Sequence, residues 1–153
     1  MAWETHTATT IESGAATVWD VLTDFSVYHE WNPTLVRARG TAEIGEHLLF
    51  TLSLPNGITV PFRPRVTVVE PNRELRWQLS VGGVLRTEHA VSITPTNGTA
   101  NDGDRVRLLQ RERLTGPLAV PLMGVMGATV RNGIEDMTAS LAGRAESRSE
   151  THD

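Results

Sequence analysis

The chain opens with a short alternating segment that is followed by two segments of helical pattern. Residues 4–12 are rich in β-branched side chains and alternate in polarity, which predicts a first strand. Residues 15–24 carry apolar side chains at helical spacing. A second short helix is predicted over residues 25–31. It ends at Asn32 because the residue before a proline, here Pro33, disfavours the helical conformation.

From residue 34 onward the pattern changes to strands that are separated by turn signals. Asn56-Gly57 and Gly82-Gly83 are typical of hairpins, and Pro71-Asn72 is typical of a turn. The polar residues 95–104 indicate a mobile surface loop. The predicted strands are residues 35–39, 47–54, 59–70, 74–81, 85–94 and 105–114.

One long helix is predicted over residues 118–145, and the polar residues 146–153 are expected to form a frayed tail. We therefore expect one domain over residues 1–145. The apolar stripe of the helix falls at three- and four-residue steps: Leu122, Met126, Val130, Ile134, Met137 and Leu141. Small residues are also frequent along it: Gly124, Gly127, Ala128 and Gly133. They indicate either a close approach of helix to sheet or space for a bulky ligand.

This order of elements predicts an α+β fold, because long runs of strands with segregated helices are not the doubly wound pattern. A helix of about 28 residues is about 40 Å long at 1.5 Å per residue, enough to cross a seven-stranded sheet. We expect a curved antiparallel sheet of seven strands around this helix. A bent sheet that grips a helix leaves a gap for an apolar small molecule.

Composition narrows the chemistry that this gap could support. The chain has no cysteine, and all 14 of its basic residues are arginine. Thiolate chemistry, Schiff bases and a lysine general base are therefore excluded. Arginine stays protonated, so acid–base work falls to His, Glu, Asp or Tyr.

Charge and local motifs limit the classes of partner and cofactor that we expect. The net charge of −4 argues against nucleic acid and against an anionic membrane surface. We find no phosphate loop, nucleophile elbow or dinucleotide fingerprint, and the five histidines are scattered. We therefore expect no cofactor and no metal. The N-terminus shows no leader-like pattern, so we expect a cytoplasmic protein. We also expect a monomer or a homodimer.

Alternation within the predicted strands gives a map of the side chains that face the gap. A two-residue turn at Gly82-Gly83 would pair Trp77 with Glu88, whereas a three-residue loop would pair Trp77 with His89. We prefer the second register, because the first one, shifted by one residue, would bury Arg86 and Glu88 and expose apolar side chains. The same parity brings His89 beside Glu112.

The predicted row Trp77, His89 and Glu112 holds our candidate catalytic residues, Glu112 and His89. A carboxylate beside an imidazole can hold the ring in one tautomer and shuttle protons during enolisation, aldol closure or dehydration. The pair could equally be a buried hydrogen bond that only satisfies two polar groups.

Other residues are candidates for contact with the ligand. Gln110 could donate to a ligand carbonyl or bind backbone. The direction of Arg63 cannot be fixed beside Pro61 and Pro64, but if it points inward it could anchor an enolate or carboxylate. Two further candidates, Tyr28 and Asn32, are expected at the mouth of the predicted pocket. The remaining candidates are Trp77, Phe50, Phe62, Thr87, Met126, Val130 and Ile134.

A series of local motifs runs along the chain: Val18-Trp19-Asp20-Val21-Leu22-Thr23-Asp24-Phe25, Tyr28, Glu30-Trp31-Asn32-Pro33, Gly45, Phe62-Arg63-Pro64, Glu70-Pro71, Glu74-Leu75-Arg76-Trp77, Gln110-Arg111-Glu112 and Gly116. Together these motifs resemble the START-like helix-grip superfamily, the SRPBCC proteins, and are closest to its polyketide cyclase/dehydrase branch. The resemblance covers about residues 4–145 and implies a helix-grip fold.

The resemblance leaves the function open, because one fold hosts many functions. Our first hypothesis is a cofactor-independent enzyme of secondary metabolism that resembles a polyketide cyclase/aromatase and promotes cyclisation or dehydration. The alternative is a non-catalytic carrier of a hydrophobic metabolite or lipid. A third hypothesis is an interaction module of a stress or toxin–antitoxin system.

Overall fold

The computed structural model describes residues 2–96 and 105–151, and within these ranges eight strands form two antiparallel sheets. The five-stranded sheet has the order β1 (Ala2–Ile11), β8 (Val106–Thr115), β7 (Leu85–Pro95), β6 (Glu74–Val81) and β5 (Arg65–Glu70). The three-stranded sheet has the order β2 (Leu35–Arg39), β3 (Leu49–Ser53) and β4 (Thr59–Phe62). The α+β class is confirmed.

The predicted count of seven strands is wrong, because the expected strand 59–70 divides into β4 and β5 at Arg63-Pro64. Proline has no N–H for the ladder, so the chain changes sheets there. Residues just before β3 pair with β5 instead of β2, through an isolated bridge between His47 and Arg65. The Leu48 N–H also donates to the Pro64 carbonyl at 2.8 Å. This crossing joins the two sheets.

Helix α1 (Ala15–Thr23) and a 3₁₀ helix (Phe25–Glu30) follow β1, as the pattern predicted. Helix α1 buries Val18, Val21 and Leu22, which lie three and four residues apart on one face. The 3₁₀ helix buries Phe25 and Tyr28. Both short helices therefore cover one end of the core.

The long helix α2 (Ala119–Thr151) packs mainly against β1, and also against α1 and β8. It continues beyond the predicted end at Ala145, and residues 146–151 are helical where a frayed tail was expected. The Glu12 N–H donates to the Glu146 carboxylate at 2.9 Å, and the Ser13 and Ser149 hydroxyls are 2.5 Å apart. These contacts hold a polar segment that has little apolar surface of its own. Residues 152 and 153 and most of the predicted loop 95–104 lie outside the described residues.

Small residues of α2 mark two close approaches. A Cβ on Gly127 would lie 3.4 Å from the Trp3 ring, and one on Gly133 would lie 3.2 Å from the Thr34 methyl group. At Gly124 nothing lies within 4 Å. Close packing therefore accounts for Gly127 and Gly133, and it does not account for Gly124.

Candidate functional site

A row of inward side chains crosses the five-stranded sheet at the predicted register. Trp77 pairs with His89 across β6 and β7, and His89 pairs with Glu112 across β7 and β8. The loop between β6 and β7 has three residues, because Val81 pairs with Leu85. The predicted register is confirmed.

His89 is held on three sides. Its Nδ1 atom is 2.6 Å from the Glu112 Oε2 atom, and its Nε2 atom is 2.7 Å from the Gln110 Oε1 atom. Its ring stacks on Trp77 with centroids 4.7 Å apart and planes 14° from parallel. The His89 side chain is 8% exposed and that of Glu112 is 16% exposed. Glu112 is therefore the member of the pair that solvent reaches more readily.

Gln110 and Thr138 connect this pair to the long helix. Gln110 is fully buried, and its amide Nε2 donates to the Thr138 hydroxyl at 2.8 Å. Both ends of the amide thus have side-chain partners inside the protein, and its contact with a ligand carbonyl stays a prediction. The sequence pattern did not single out Thr138, although a polar residue four positions after Ile134 on an apolar stripe is a usable signal.

Aromatic rings form a continuous wall beside the row. The Phe50 ring is central and fully buried, with its centroid 5.1 Å from Trp77 and 5.6 Å from Phe62. On its other side Phe50 contacts Phe25 at 5.7 Å and Tyr28 at 6.3 Å. The wall gives the neighbourhood of His89 a largely apolar surface.

The inward face becomes more exposed towards the β6–β7 hairpin. On β7, Val91 is fully buried, His89 is 7% exposed, and Thr87 is half-buried. On β6, Leu75 is fully buried whereas Leu79 is half-buried. Solvent therefore reaches the inward face from the hairpin end, which places Thr87 on the open side of the row.

The N-terminal half of α2 faces a second, smaller apolar cluster. Met126 and Val130 are partly buried and pack against this cluster, which contains Leu114 and Met123. Ile134 is buried without joining either this cluster or the main core. The strands and the helix that contribute to this cluster and to the main core also carry the polar residues of the site: Glu112, His89, Gln110 and Thr138.

Tyr28 lies in the core, not at an open mouth. Its side chain is fully buried, and its hydroxyl donates to the Leu22 carbonyl. Burial raises the pKa of Tyr28 well above its usual range, and the nearby Asp24 carboxylate raises that pKa further. The phenol therefore stays neutral at physiological pH and stabilises the turn between the two short helices.

The oxygen and the nitrogen of the Asn32 side-chain amide have different surroundings. Its Oδ1 atom accepts from the backbone N–H groups of Thr34 at 3.0 Å and Leu35 at 2.9 Å, which fixes the orientation of the amide. Its Nδ2 atom is buried and has no partner among the described residues, and the same holds for the Trp31 Nε1 atom. Buried donors normally have acceptors, so each of these two N–H groups can donate to an additional acceptor atom.

Arg63 is exposed, whereas its neighbour Phe62 is half-buried and contacts Phe50. Arg63 lies outside both strands, between the end of β4 and the start of β5, and its side chain is open to solvent. The conditional role of Arg63 as an inward anchor is therefore not supported by its position.

An open depression of about 500 Å³ lies elsewhere on the surface. Its lining comes from the 3₁₀ helix and β2: Ser26, His29, Arg37, Ala38, Arg39 and Gly40. None of the row residues lines it. Among the described residues, no group of three or more His, Asp or Glu side chains could hold a metal ion.

Antiparallel sheets closed by a long C-terminal helix, with two short helices after β1, define a helix-grip fold. The chain belongs to the family described as polyketide cyclase/dehydrase and lipid transport, whose model matches residues 2–146. No curated protein sequence matches the chain. Among the described helices, none combines the length and the apolar composition that a membrane span requires.

Solved structures share the fold at low sequence identity. The Zhui aromatase/cyclase from a Streptomyces species superposes with a TM-score of 0.75 and 15% identity, over 97% of this chain and 96% of that chain. A START superfamily protein from Mycobacterium smegmatis superposes with a TM-score of 0.67 and 21% identity, over 98% of this chain and 99% of that chain. Norcoclaurine synthase from Thalictrum flavum superposes with a TM-score of 0.71 and 11% identity, over 97% of this chain and 96% of that chain. These identities show a common fold only.

Proposed function

We propose that the chain is a cofactor-independent cyclase or dehydratase that acts on an apolar, ketone-bearing metabolite held between the sheet and α2. The observation that carries the proposal is the His89–Glu112 pair, joined at 2.6 Å on the inward face beside an aromatic wall. The family and the aromatase/cyclase fold support this class of reaction.

Glu112 is the proposed proton carrier. In a dehydration its carboxylate takes a proton from the carbon beside the ligand ketone, and the electron pair of that C–H bond forms the enolate. Glu112 then gives the proton to a β-hydroxyl group, the C–O bond breaks, water leaves and a C=C bond forms. The protein ends in its starting state, so no further reagent is required.

The ligand would be oriented by apolar and polar contacts. The wall around Phe50 and Trp77 suits a flat or unsaturated chain, and Met126, Val130 and Ile134 would contribute the helix side. The Asn32 Nδ2 donor, which has no partner among the described residues, suits a ligand carbonyl oxygen. Holding reacting carbons together supplies much of such a rate enhancement, about 7–11 kcal/mol at best.

The experiment is proton exchange on a model ligand. An aryl β-keto thioester is incubated in D₂O with the wild-type chain, and loss of its α-proton signal is followed by NMR. Catalysed exchange that disappears in Glu112→Gln supports the proposal. No acceleration by the wild-type chain at saturating probe would contradict it.

Transport of a hydrophobic metabolite or lipid is the second candidate. It is favoured by the internal pairing of His89 and Gln110, which leaves mostly apolar surface for a ligand. A carrier would bind the probe equally well with Glu112 or with Gln at that position and would accelerate no exchange.

A further inference from the structure

Both ring nitrogens of His89 are already occupied inside the protein. Nδ1 faces the Glu112 carboxylate at 2.6 Å and Nε2 faces the Gln110 carbonyl oxygen at 2.7 Å. One face of the ring is covered by Trp77. A ligand therefore has no free nitrogen of His89 to contact, and the ring can act on it only through Glu112.

The orientation of the Gln110 amide decides which ring nitrogen carries a proton. Its Nε2 group donates to the Thr138 hydroxyl at 2.8 Å, so its carbonyl oxygen is the end that faces His89. A carbonyl oxygen can only accept a hydrogen bond, so the Nε2 atom of His89 must carry the donated proton. The Nδ1 atom then faces the Glu112 carboxylate across the 2.6 Å contact.

We infer that Gln110, held by Thr138, is a positioning residue that keeps a proton on the His89 Nε2 atom and so directs all proton exchange with the ligand through Glu112. This role rests on the proposed function for its catalytic consequence, but the arrangement of protons exists without any ligand. It also gives α2 a direct part in the site, because Thr138 is the helix residue whose hydroxyl accepts from the amide.

The test compares Thr138→Val with Thr138→Ser. Valine has the shape of threonine without the hydroxyl, whereas serine keeps the hydroxyl. The protein is labelled with ¹⁵N, and the ring nitrogens of its histidines are observed at pH 7 by long-range ¹H–¹⁵N correlation. The His89 signals are assigned by their loss in His89→Asn.

We expect the wild-type chain and Thr138→Ser to show a protonated Nε2 atom on His89. In Thr138→Val the amide is free to turn, and the Nε2 signal should move towards that of an unprotonated nitrogen. A His89 ring with unprotonated Nε2 in the wild-type chain overturns the inference. Identical ring signals in the wild-type chain and Thr138→Val also overturn it.

Proton exchange on the β-keto thioester separates this inference from the proposed function. We expect Thr138→Val to exchange about tenfold more slowly with unchanged probe affinity, less than the 10²–10⁴-fold effect of losing an acid–base group itself. If the NMR signals behave as expected but the wild-type chain accelerates no exchange, the positioning role stands and the proposed enzyme activity fails.

Discussion

The imidazole of His89 and the indole of Trp77 lie face to face across β6 and β7, with centroids 4.7 Å apart and planes only 14° from parallel. Cross-strand neighbours on one sheet face normally approach closely, and here the approach is a stack. The stack covers one face of the histidine while its edge faces Glu112 and Gln110. A side chain fixed in this way is suited to orienting a carboxylate, and this is the role that we assign to it.

Tyr28 makes the alkaline behaviour of the chain unusually simple. It is the single tyrosine, and the chain has no lysine or cysteine, so no other side chain titrates in moderate alkali. Burial and Asp24 raise the pKa of Tyr28 in the folded state above its ordinary value of 10.0. The neutral phenol therefore contributes stability that is fully present below pH 10 and is lost as pH rises towards the folded-state pKa.

We expect tyrosinate absorbance to appear only together with loss of the far-ultraviolet circular dichroism of the folded chain. The Tyr28→Phe variant should lose this part of the alkaline destabilisation. Reversible ionisation of Tyr28 near pH 10 in a chain that remains folded would show that the phenol is not buried as described.

Two glycines near the start of α2 should respond to alanine with opposite signs. Gly116 has a φ of +104°, and a Cβ there would lie 2.5 Å from the Val84 carbonyl oxygen. Gly116→Ala should therefore lower the free energy of unfolding by about 2 kcal/mol or more.

Gly124 lies inside α2 with nothing within 4 Å of the added atom. Gly124→Ala should raise the free energy of unfolding by about 0.5–1 kcal/mol, because alanine loses less backbone entropy in a helix. Urea denaturation measures both variants. A rise for Gly116→Ala, or a fall for Gly124→Ala, would refute this description of the start of α2.

Arg63 should be dispensable for ligand binding. Its side chain is exposed, in the short segment between β4 and β5. Arg63→Ala should leave the Kd of the β-keto thioester within about twofold of the wild-type value, as surface substitutions usually do. Isothermal titration checks this, and a loss of about tenfold or more would mean that the guanidinium reaches the ligand after all.

The register of β6, β7 and β8 could be predicted because a slip of one residue has a large penalty. It would have buried Arg86 and Glu88 and exposed Val91. Alternation along strands is strict, so the neighbours Trp77, His89 and Glu112 followed from sequence.

The contact between Gln110 and Thr138 could not be predicted in the same way. The two residues are 28 positions apart, on a strand and a helix, and strand alternation does not set the rotation of a helix above a sheet. The long continuation of α2 was missed for a related reason. Its polar residues Glu146 and Ser149 are held by Glu12 and Ser13, which local composition does not reveal.

The sequence motifs predict the family and the fold, but they do not identify the ligand. Apolar walls accept many molecules of similar shape, and one fold hosts many activities. The chemistry of the site therefore has to be tested on a defined ligand class.

The most direct measurement is the rate of α-proton exchange on the aryl β-keto thioester with matched glutamate variants. Glu112→Gln removes the inward carboxylate, and Glu88→Gln removes one on the opposite face, beside Arg76 at 3.7 Å. We expect Glu112→Gln to slow exchange by about 10²–10⁴-fold with unchanged probe affinity, and Glu88→Gln to retain the wild-type rate. Equal rates for the wild-type chain and Glu112→Gln would contradict the assignment of Glu112 as the proton carrier.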